Sequence, residues 1–417
     1  MKIKPSIKFY YWVYFLILMG LFHYKIKTYN YWRHVANLQD TVYGFSNIRF
    51  FIVILIFFIN LKVLFKIDKK KLLFTVLGVF FMLVTIPSLI SFTGGVVYPV
   101  KLLVYHQMFF FALYFVSKVK MSLNKLPVIN KEHALFLLLG VTTIGILPYL
   151  LIYGPYIDIS NLWLNNVYET RKAMGKVGNV YFGYTFSLYS KIILPLFIVF
   201  SLELKKYYFT ALGVLYLILF YLFGAHKAVY TGLIMVFVFY RLSYLNAIKK
   251  MIKWSNLLIT LSAILAYFSF DGLWILLFRR IHFLPGLMDV AYLDFFKNQP
   301  MYWSESILKN FITYPFDIRH TYMIGGKYFK HFDMAANNGL IADGYMNFGT
   351  TGVLINIFII SGYFMILNNL NISSKYFGLF LLAIFSFISS SVFTVFLTHG
   401  AFALLLISIF MLNEKNE

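Results

Sequence analysis

Arginine is the residue type in this sequence whose placement most suggests binding chemistry. A guanidinium group offers a rigid fork of donors that matches a phosphate or a carboxylate. Arg171 lies in a polar segment with Glu169, Lys172 and Lys176, all within two helical turns, which suggests a clamp for an anion or an ordinary amphipathic connector. The chain has seven arginines: Arg33, Arg49, Arg171, Arg241, Arg279, Arg280 and Arg319.

A long polar segment at 278–345 carries most of the other candidate groups. Loops of this length are usually functional. Its aromatic rings include Tyr322 and are flat faces on which sugars stack, although membrane interfaces also use Trp and Tyr. Acids, arginines and rings together suit a polyanionic or diphosphate-linked sugar. The polar and aromatic candidates are Asp289, Asp294, Glu305, Asp317, Arg319, His320, Lys327, Lys330, His331, Asp333, Tyr302, Trp303, Tyr314, Tyr322 and Tyr328.

The run 336–352 follows, with Asn338 and Asp343 expected at the outer mouth of a helix bundle. Its glycines favour tight turns and close approach between helices. Lys227 and His226 stand where another predicted span begins, and there Lys227 either binds a ligand or reaches for the interface. The sequence contains no HExxH, P-loop or Rossmann glycine pattern and no cysteine, so we expect neither a metal nor a cofactor.

The elements that must position these groups are membrane helices. The chain is 61% hydrophobic and only 12% charged, whereas a soluble domain has about 25% charged residues. Continuous apolar runs of about 18 or more residues predict an all-α polytopic membrane protein with a single transmembrane domain over 1–417. The twelve predicted spans are 9–24, 48–65, 72–92, 100–117, 134–153, 184–202, 207–223, 227–245, 255–277, 346–367, 375–391 and 393–412, with Ser389–Ser391 as the possible turn between the last two.

Lysine placement predicts the orientation of these spans, since cytoplasmic loops are rich in positive charge. Lysine groups at 2–8, 62–71, 118–131 and 249–253 all fall inside if both termini are cytoplasmic. Segment 278–345 is then an extracytoplasmic loop between predicted helices nine and ten, and six of the seven arginines lie outside. Snorkelling to lipid head groups, or pairing with Asp289 and Asp294, is the alternative explanation for these arginines. We attribute the net charge of +22 to orientation and expect no nucleic-acid partner.

These residues resemble the O-antigen or oligosaccharide repeat-unit polymerases (Wzy type) and, more distantly, the O-antigen ligases. The general architecture covers most of the chain, and the motif similarity covers a small part of it. Ligases of this superfamily place a histidine eleven residues before the first glycine of a GxxG, and here that position is Asn338, which favours a polymerase over a ligase. The motif similarity rests on Arg171, on Arg280–Pro285 with Tyr292, Asp294, Phe295 and Phe296, on the long late loop, and on Asn337-Asn338-Gly339 with Asp343, Gly349 and Gly352.

The resemblance implies a GT-C-like membrane glycosyltransferase in the bacterial plasma (inner) membrane. It would join undecaprenyl-diphosphate-linked oligosaccharides into O-antigen, capsule or exopolysaccharide on the outer face, with membrane lipid, a chain-length regulator and a flippase as expected partners. Departure of the diphosphate develops negative charge, which pre-placed arginines stabilise. The expected roles are diphosphate binding or catalysis by Arg171, Arg280 and Arg319, with Arg279 and Lys227 as second choices, orientation or deprotonation of the acceptor hydroxyl by Asp343, and substrate positioning by Asn338 and Tyr322.

Two other readings stay open. A ligase-like glycosyltransferase would use the same lipid-linked donor. A flippase or transporter would need polar groups through the centre of the bundle and broken helices near the midplane. Charges within the predicted spans are few, which favours chemistry at the outer face.

Overall fold

The computed structural model describes residues 6–29, 45–94, 98–123, 127–163, 165–226 and 228–414. In these residues the chain is helical, and β-type pairing is limited to an isolated antiparallel bridge between Ile372 and Asn413. The prediction of an all-α fold is confirmed for this part of the chain.

Helices make up most of the described chain, and a long non-helical segment at 296–319 interrupts them. Several of them contain π-type turns, at Phe81–Thr85, Tyr189–Ile193 and Ser408–Leu412, and short 3₁₀ turns lie at Gly154–Tyr156, Ile159–Trp163 and Ser374–Tyr376. The first ten helices are α1 Ile7–Tyr29, α2 Asn47–Leu64, α3 Leu72–Thr93, α4 Val100–Val116, α5 Lys131–Tyr153, α6 Val167–Val177, α7 Val180–Glu203, α8 Tyr207–Gly224, α9 Ala228–Phe239 and α10 Tyr244–Tyr267. A continuous helical stretch follows, made of Gly272–Trp274, the π-helix Ile275–Phe283 and α11 Leu284–Phe295. The remaining helices are α12 His320–Phe329, α13 Leu340–Asn369, α14 Phe377–Ser389, α15 Val392–Leu397 and α16 Ala401–Ile407.

Six of the helical stretches in the described residues are long and apolar enough to cross a membrane. They are α2, α3, α5 with its 3₁₀ extension, α7, α8 and α13. Shorter apolar helices lie at Val100–Val116, Ser374–Ser389 and Ala401–Leu412. A helical membrane protein is therefore the class to which this chain corresponds, and the total of twelve spans and the GT-C-like arrangement stay predictions.

The ninth predicted span, 255–277, is wrong as a continuous helix. Helix α10 begins earlier, at Tyr244, and ends at Tyr267. Ser269 adopts a left-handed φ of 70°, and the amide of Phe270 turns back to the carbonyl of Leu265. Hydropathy did not predict this break, because the aromatic residues Tyr267, Phe268 and Phe270 continue the apolar run across it. The early start follows from buried residues at helical spacing along 244–256, which the lysines at 249–253 mask in a hydropathy reading.

The end of the chain divides as the serine run predicted, with one more break. Helix α14 ends at Ser389 and α15 begins at Val392. The predicted last span, 393–412, is not continuous, because the helix stops at Leu397 and restarts at Ala401. Gly400 has a φ of 82°, a conformation that glycine adopts without steric cost.

Internal contacts divide the chain into two compact units. Unit 1 comprises 1–119, 244–365 and 387–392, and unit 2 comprises 120–243, 366–386 and 393–417. The prediction of a single transmembrane domain concerns the arrangement in the membrane and stays a prediction.

Unit 1 is centred on α3, almost all of which is buried. Helices α1 and α10 pack together beside it. Two tyrosines of α1 donate to carbonyls of α3, Tyr11 to Gly78 at 3.0 Å and Tyr14 to Met82 at 3.2 Å. These bonds satisfy hydroxyl groups that apolar surroundings would otherwise leave unpaired.

The predicted outer loop 278–345 is a folded part of unit 1. Helices α11 and α12 pack around a common apolar core that includes Tyr292, Ile324 and Tyr328. Tyr292 donates to the carbonyl of Ala336 at 2.8 Å, and Tyr328 donates to Asp294 at 2.6 Å. Tyr328 is fully buried, so the prediction that its ring is a stacking face for sugars is wrong.

Helix α13 is bent where the glycines predicted it. Phe348 and Gly349 leave helical geometry, with a φ of 59° at Gly349. The two halves of the helix then touch, since a Cβ on Gly352 would lie 2.0 Å from the carbonyl oxygen of Gly344. The expectation of a tight turn and close approach in this run is confirmed.

Unit 2 packs α5, α7 and α8 through a cluster of aromatic rings around Tyr149. At the ends of these helices Glu203 accepts from Lys131 at 2.5 Å, from Lys375 at 2.7 Å and from Tyr376. A carboxylate with several charged donors is a strong local tie. It fastens the segment 366–386 of unit 2 to α5 and α7.

Candidate functional site

Asp343 is the centre of a buried polar cluster in unit 1. Its side chain is 2% exposed. One oxygen accepts from Asn356 at 3.1 Å and from the backbone amide of Val392 at 3.0 Å. The other oxygen accepts from Asn338 and Asn347, both at 3.4 Å. Because these donors surround the carboxylate, its geometry fits a residue that positions α13 better than a base that touches a substrate hydroxyl.

Asn338 shares this cluster, and its predicted role in positioning a substrate stays a prediction. It is 6% exposed, so its amide faces protein groups. Asn347 continues the network, since its side-chain oxygen accepts from the amide of Trp303 at 2.7 Å. Trp303 and Tyr302 both have left-handed φ angles, 55° and 53°. The cluster thereby holds a strained aromatic turn, of which Tyr302 is 45% exposed.

A second buried chain of polar groups runs beside the start of α13. Asp289 accepts from the amide of Ala342 at 3.2 Å and lies 3.4 Å from His106. His106 in turn lies 2.8 Å from the Ser88 hydroxyl and 3.1 Å from Tyr98. Serine, histidine and aspartate in this order are typical of an activated nucleophile. The cavity that they line measures about 20 Å³, which is room for about one water molecule. A substrate does not fit in this cavity, so we interpret this series of polar side chains as structural.

Arg319 is already engaged by a carboxylate. Its Nε donates to Glu305 at 2.7 Å, and His320 binds the other oxygen of the same carboxylate. Burial opposes ionisation of Glu305, but the bonds from His320 and Arg319 outweigh it and lower the pKa of Glu305 to about 2. Tyr322, one turn along α12, is half-buried. A diphosphate would have to compete with Glu305 for this arginine.

Arg279 and Arg280 lie in the π-helix Ile275–Phe283 of unit 1. Arg280 is exposed, and among the described residues it has no hydrogen bond or ion pair. Arg279 is half-buried and has contacts of its own. His282 is buried beside them and bonded to Tyr14 and to the carbonyl of Leu277. An exposed guanidinium at this position suits either a ligand or a head group.

Arg171 lies in unit 2, on α6, where the predicted clamp residues share one helix. Its Nη2 donates to the carbonyl of Ala225 at 2.9 Å, and its guanidinium lies 5.8 Å from the ring of Tyr168. The Nε is buried and has no partner in the described residues, and no carboxylate there lies within ion-pair distance. Burial lowers the pKa of His226, and the positive charges of Arg171 and Lys191 lower it further.

The three arginines predicted as diphosphate binders thus divide between the units, with Arg280 and Arg319 in unit 1 and Arg171 in unit 2. Lys227, a second choice, lies outside the described residues. Arg33 does so as well, whereas Arg49 lies 4.8 Å from the ring of Phe92.

Lys191 is a candidate functional residue that the sequence pattern did not predict. It lies in the middle of α7, within a predicted span, and its signal was a single lysine in an apolar run. An ionisable residue at such a place is a functional candidate by default. Within the part of the chain that the structure describes, no group of three or more His, Asp or Glu side chains is placed to hold a metal ion.

Comparison of the chain with family models, with curated proteins and with solved structures finds no match.

Proposed function

We propose that this protein is a membrane glycosyltransferase that polymerises undecaprenyl-diphosphate-linked oligosaccharide repeat units. The growing chain would leave its lipid diphosphate and pass to a hydroxyl group of the incoming unit. Six long apolar helices and the resemblance of the sequence motifs to repeat-unit polymerases support the proposal. The reaction is expected at the outer face of the plasma membrane.

The observation that carries the proposal is the state of Arg171. Its guanidinium is half-buried, one of its nitrogens has no partner, and no carboxylate in the described residues neutralises it. Stabilising the charge that develops on a departing diphosphate needs donors that are already in place and not already paired. Arg319 fits this requirement less well, since Glu305 holds it.

Asp343 would act as a positioning residue in this scheme. Its four hydrogen bonds fix the bent start of α13 and, through Asn347, the turn that presents Tyr302. Aromatic rings held on such a turn suit the flat faces of a sugar acceptor. Asp343 is therefore not proposed as the base that removes the proton of the acceptor hydroxyl.

A flippase for the same lipid-linked sugar is the second candidate, because Lys191 lies inside an apolar helix. Product patterns separate the two activities. Loss of a polymerase leaves single repeat units at the cell surface, whereas loss of a flippase leaves the units inside the cell. Loss of a ligase would leave long polymer on the carrier lipid.

The test uses purified full-length protein in vesicles that contain a lipid-diphosphate repeat unit, without nucleotide and with a chelator. We expect a ladder of products from the wild type. Arg171→Ala and Arg171→Lys should each slow polymerisation by about 10²-fold, the typical effect of removing one stabilising donor. Arg241→Ala is the matched control, since Arg241 is an exposed arginine of unit 2 and should polymerise as the wild type does.

Two outcomes would overturn this proposal. One is the absence of any ladder from the folded wild type with its own repeat unit. The other is an unchanged ladder in a strain that lacks the gene and has no second polymerase.

A further inference from the structure

Lys191 is a positively charged residue inside an apolar helix of unit 2. The ammonium donates to the hydroxyl of Ser386 at 3.3 Å, and this is its only hydrogen bond within the described residues. No carboxylate there lies within ion-pair distance of it. A lysine ammonium has three donors, so two of them have no acceptor among the described residues. Such a charge is costly in apolar surroundings unless something else balances it.

The backbone around Lys191 departs from a regular α-helix. Pro195 has no N–H to give to the carbonyl of Lys191, four residues earlier, so the regular helix pattern cannot continue there. The chain instead forms a π-turn at Tyr189–Ile193, in which the amide of Leu194 bonds to the carbonyl of Tyr189. Such turns are frequent at functional sites because the extra residue redirects a side chain.

Other unpaired nitrogen atoms lie around this lysine in unit 2. His399 is placed by the break between α15 and α16, and its Nδ1 is buried without a partner in the described residues. A Cβ on Gly400, next to His399, would lie 2.9 Å from side-chain atoms of Leu188 and Ile192, which flank Lys191 on α7. The ring of His226 lies 5.3 Å from the ring of Phe186 on the same helix. Arg171, whose buried Nε is also unpaired among the described residues, donates to the carbonyl of Ala225, the residue before His226. Cationic and neutral donors therefore lie near one another here, and no acid in the part of the chain that the structure describes is paired with them.

Donors of this kind are complementary to an oxyanion with several acceptor oxygens. A carboxylate offers two oxygens, whereas a phosphate group offers three and carries more charge. We propose that Lys191, His399 and Arg171 form a binding site for a phosphate-type anion within unit 2, with Ser386 fixing the lysine. This inference rests on the proposed function for its natural ligand, a lipid-linked diphosphate, but the site itself is defined without it.

The experiment measures binding by calorimetry, with full-length protein in lipid nanodiscs and inorganic pyrophosphate as the probe. Vesicles with farnesyl diphosphate, in a parallel arm, distinguish a lipid head group from a free phosphate. We expect Lys191→Met to weaken binding by at least tenfold and His399→Gln by several-fold. Lys205→Met is the matched control, because Lys205 is an exposed lysine just beyond the end of α7, and its affinity should not change.

Lys191→Met should fold, since replacing a buried charge by an apolar side chain of similar length is often neutral or stabilising. Size-exclusion profiles and unfolding temperatures check this, and His399→Gln remains informative if it does not. Wild-type protein that binds neither probe, or a folded Lys191→Met protein that binds as the wild type does, would overturn the inference. Binding that depends on Lys191 without any polymerisation would instead count against the proposed function alone.

Discussion

Glu305 shows how the structure changes the meaning of a residue that the sequence only marks as polar. It binds Arg319 and His320 at once, and these bonds lower the pKa of its carboxyl to about 2, although burial opposes the shift. Arg319, which the sequence predicted as a diphosphate binder, is therefore part of a local ion-pair cluster with Glu305 and His320. Arg319 itself is largely exposed, so the energy of this contact is reduced by solvent.

The lowered pKa of Glu305 predicts how stability depends on pH. A carboxyl whose pKa falls from 4.5 to about 2 on folding stabilises the protein fully above pH 4.5 and loses this effect as the pH falls towards 2. We expect the wild type to unfold at a higher temperature than Glu305→Gln near pH 7. That difference should shrink between about pH 4.5 and pH 2.

Thermal unfolding in detergent at several pH values measures this difference. Asp317→Asn controls for net charge, because Asp317 is an exposed acid of the same segment. A Glu305→Gln protein whose deficit is the same at pH 3 and pH 7 would contradict the assignment of the ion pair.

At the scale of elements, glycine decides the course of α13. Gly349 takes a left-handed φ, and the helix halves then approach so closely that Gly344 and Gly352 have no room for a Cβ. The bend places Asp343 against the donors of Asn356 and Val392. The polar cluster therefore depends on the backbone as much as on the side chains.

We predict that Gly352→Ala destabilises the protein by at least about 1–3 kcal/mol, the range for overpacked interiors. A Cβ there would lie 2.0 Å from a backbone oxygen, which cannot rotate away. Gly362→Ala is the control in the same helix, since its Cβ would meet no atom within 4 Å. It should be neutral or stabilise by about 0.5–1 kcal/mol. Equal unfolding temperatures of the Gly352→Ala protein and the wild type would show that the close approach is absent.

At the scale of the whole molecule, the arrangement in the membrane follows from lysine placement and stays a prediction. Reporter fusions after Lys120, Lys250 and Asn310 should read cytoplasmic, cytoplasmic and outside. The third position is decisive, because it lies in the folded segment between α11 and α12 that carries Arg319. A cytoplasmic signal after Asn310 would place this segment on the wrong side for chemistry on translocated sugars.

The class of this protein and much of its helix content could be predicted from the sequence alone. Apolar runs are long and continuous, and hydropathy sums over many residues, so spans such as α2, α3 and α8 emerge within a few positions of their predicted bounds. Glycine and serine signals at Gly349 and Ser389–Ser391 were also sufficient, since the conformations that they allow are local.

Which polar groups have partners could not be predicted in this way, because it depends on how the helices pack. Asp343 accepts from Val392, 49 residues away in sequence, and Glu305 pairs with Arg319, 14 residues away. Arg171 and Lys191, in contrast, have no acid within ion-pair distance among the described residues. A hydrogen bond depends on tenths of an ångström between atoms that the fold brings together. For that reason the sequence could name the arginines as candidates, but the packing of each unit determined which of them remain available to bind an anion.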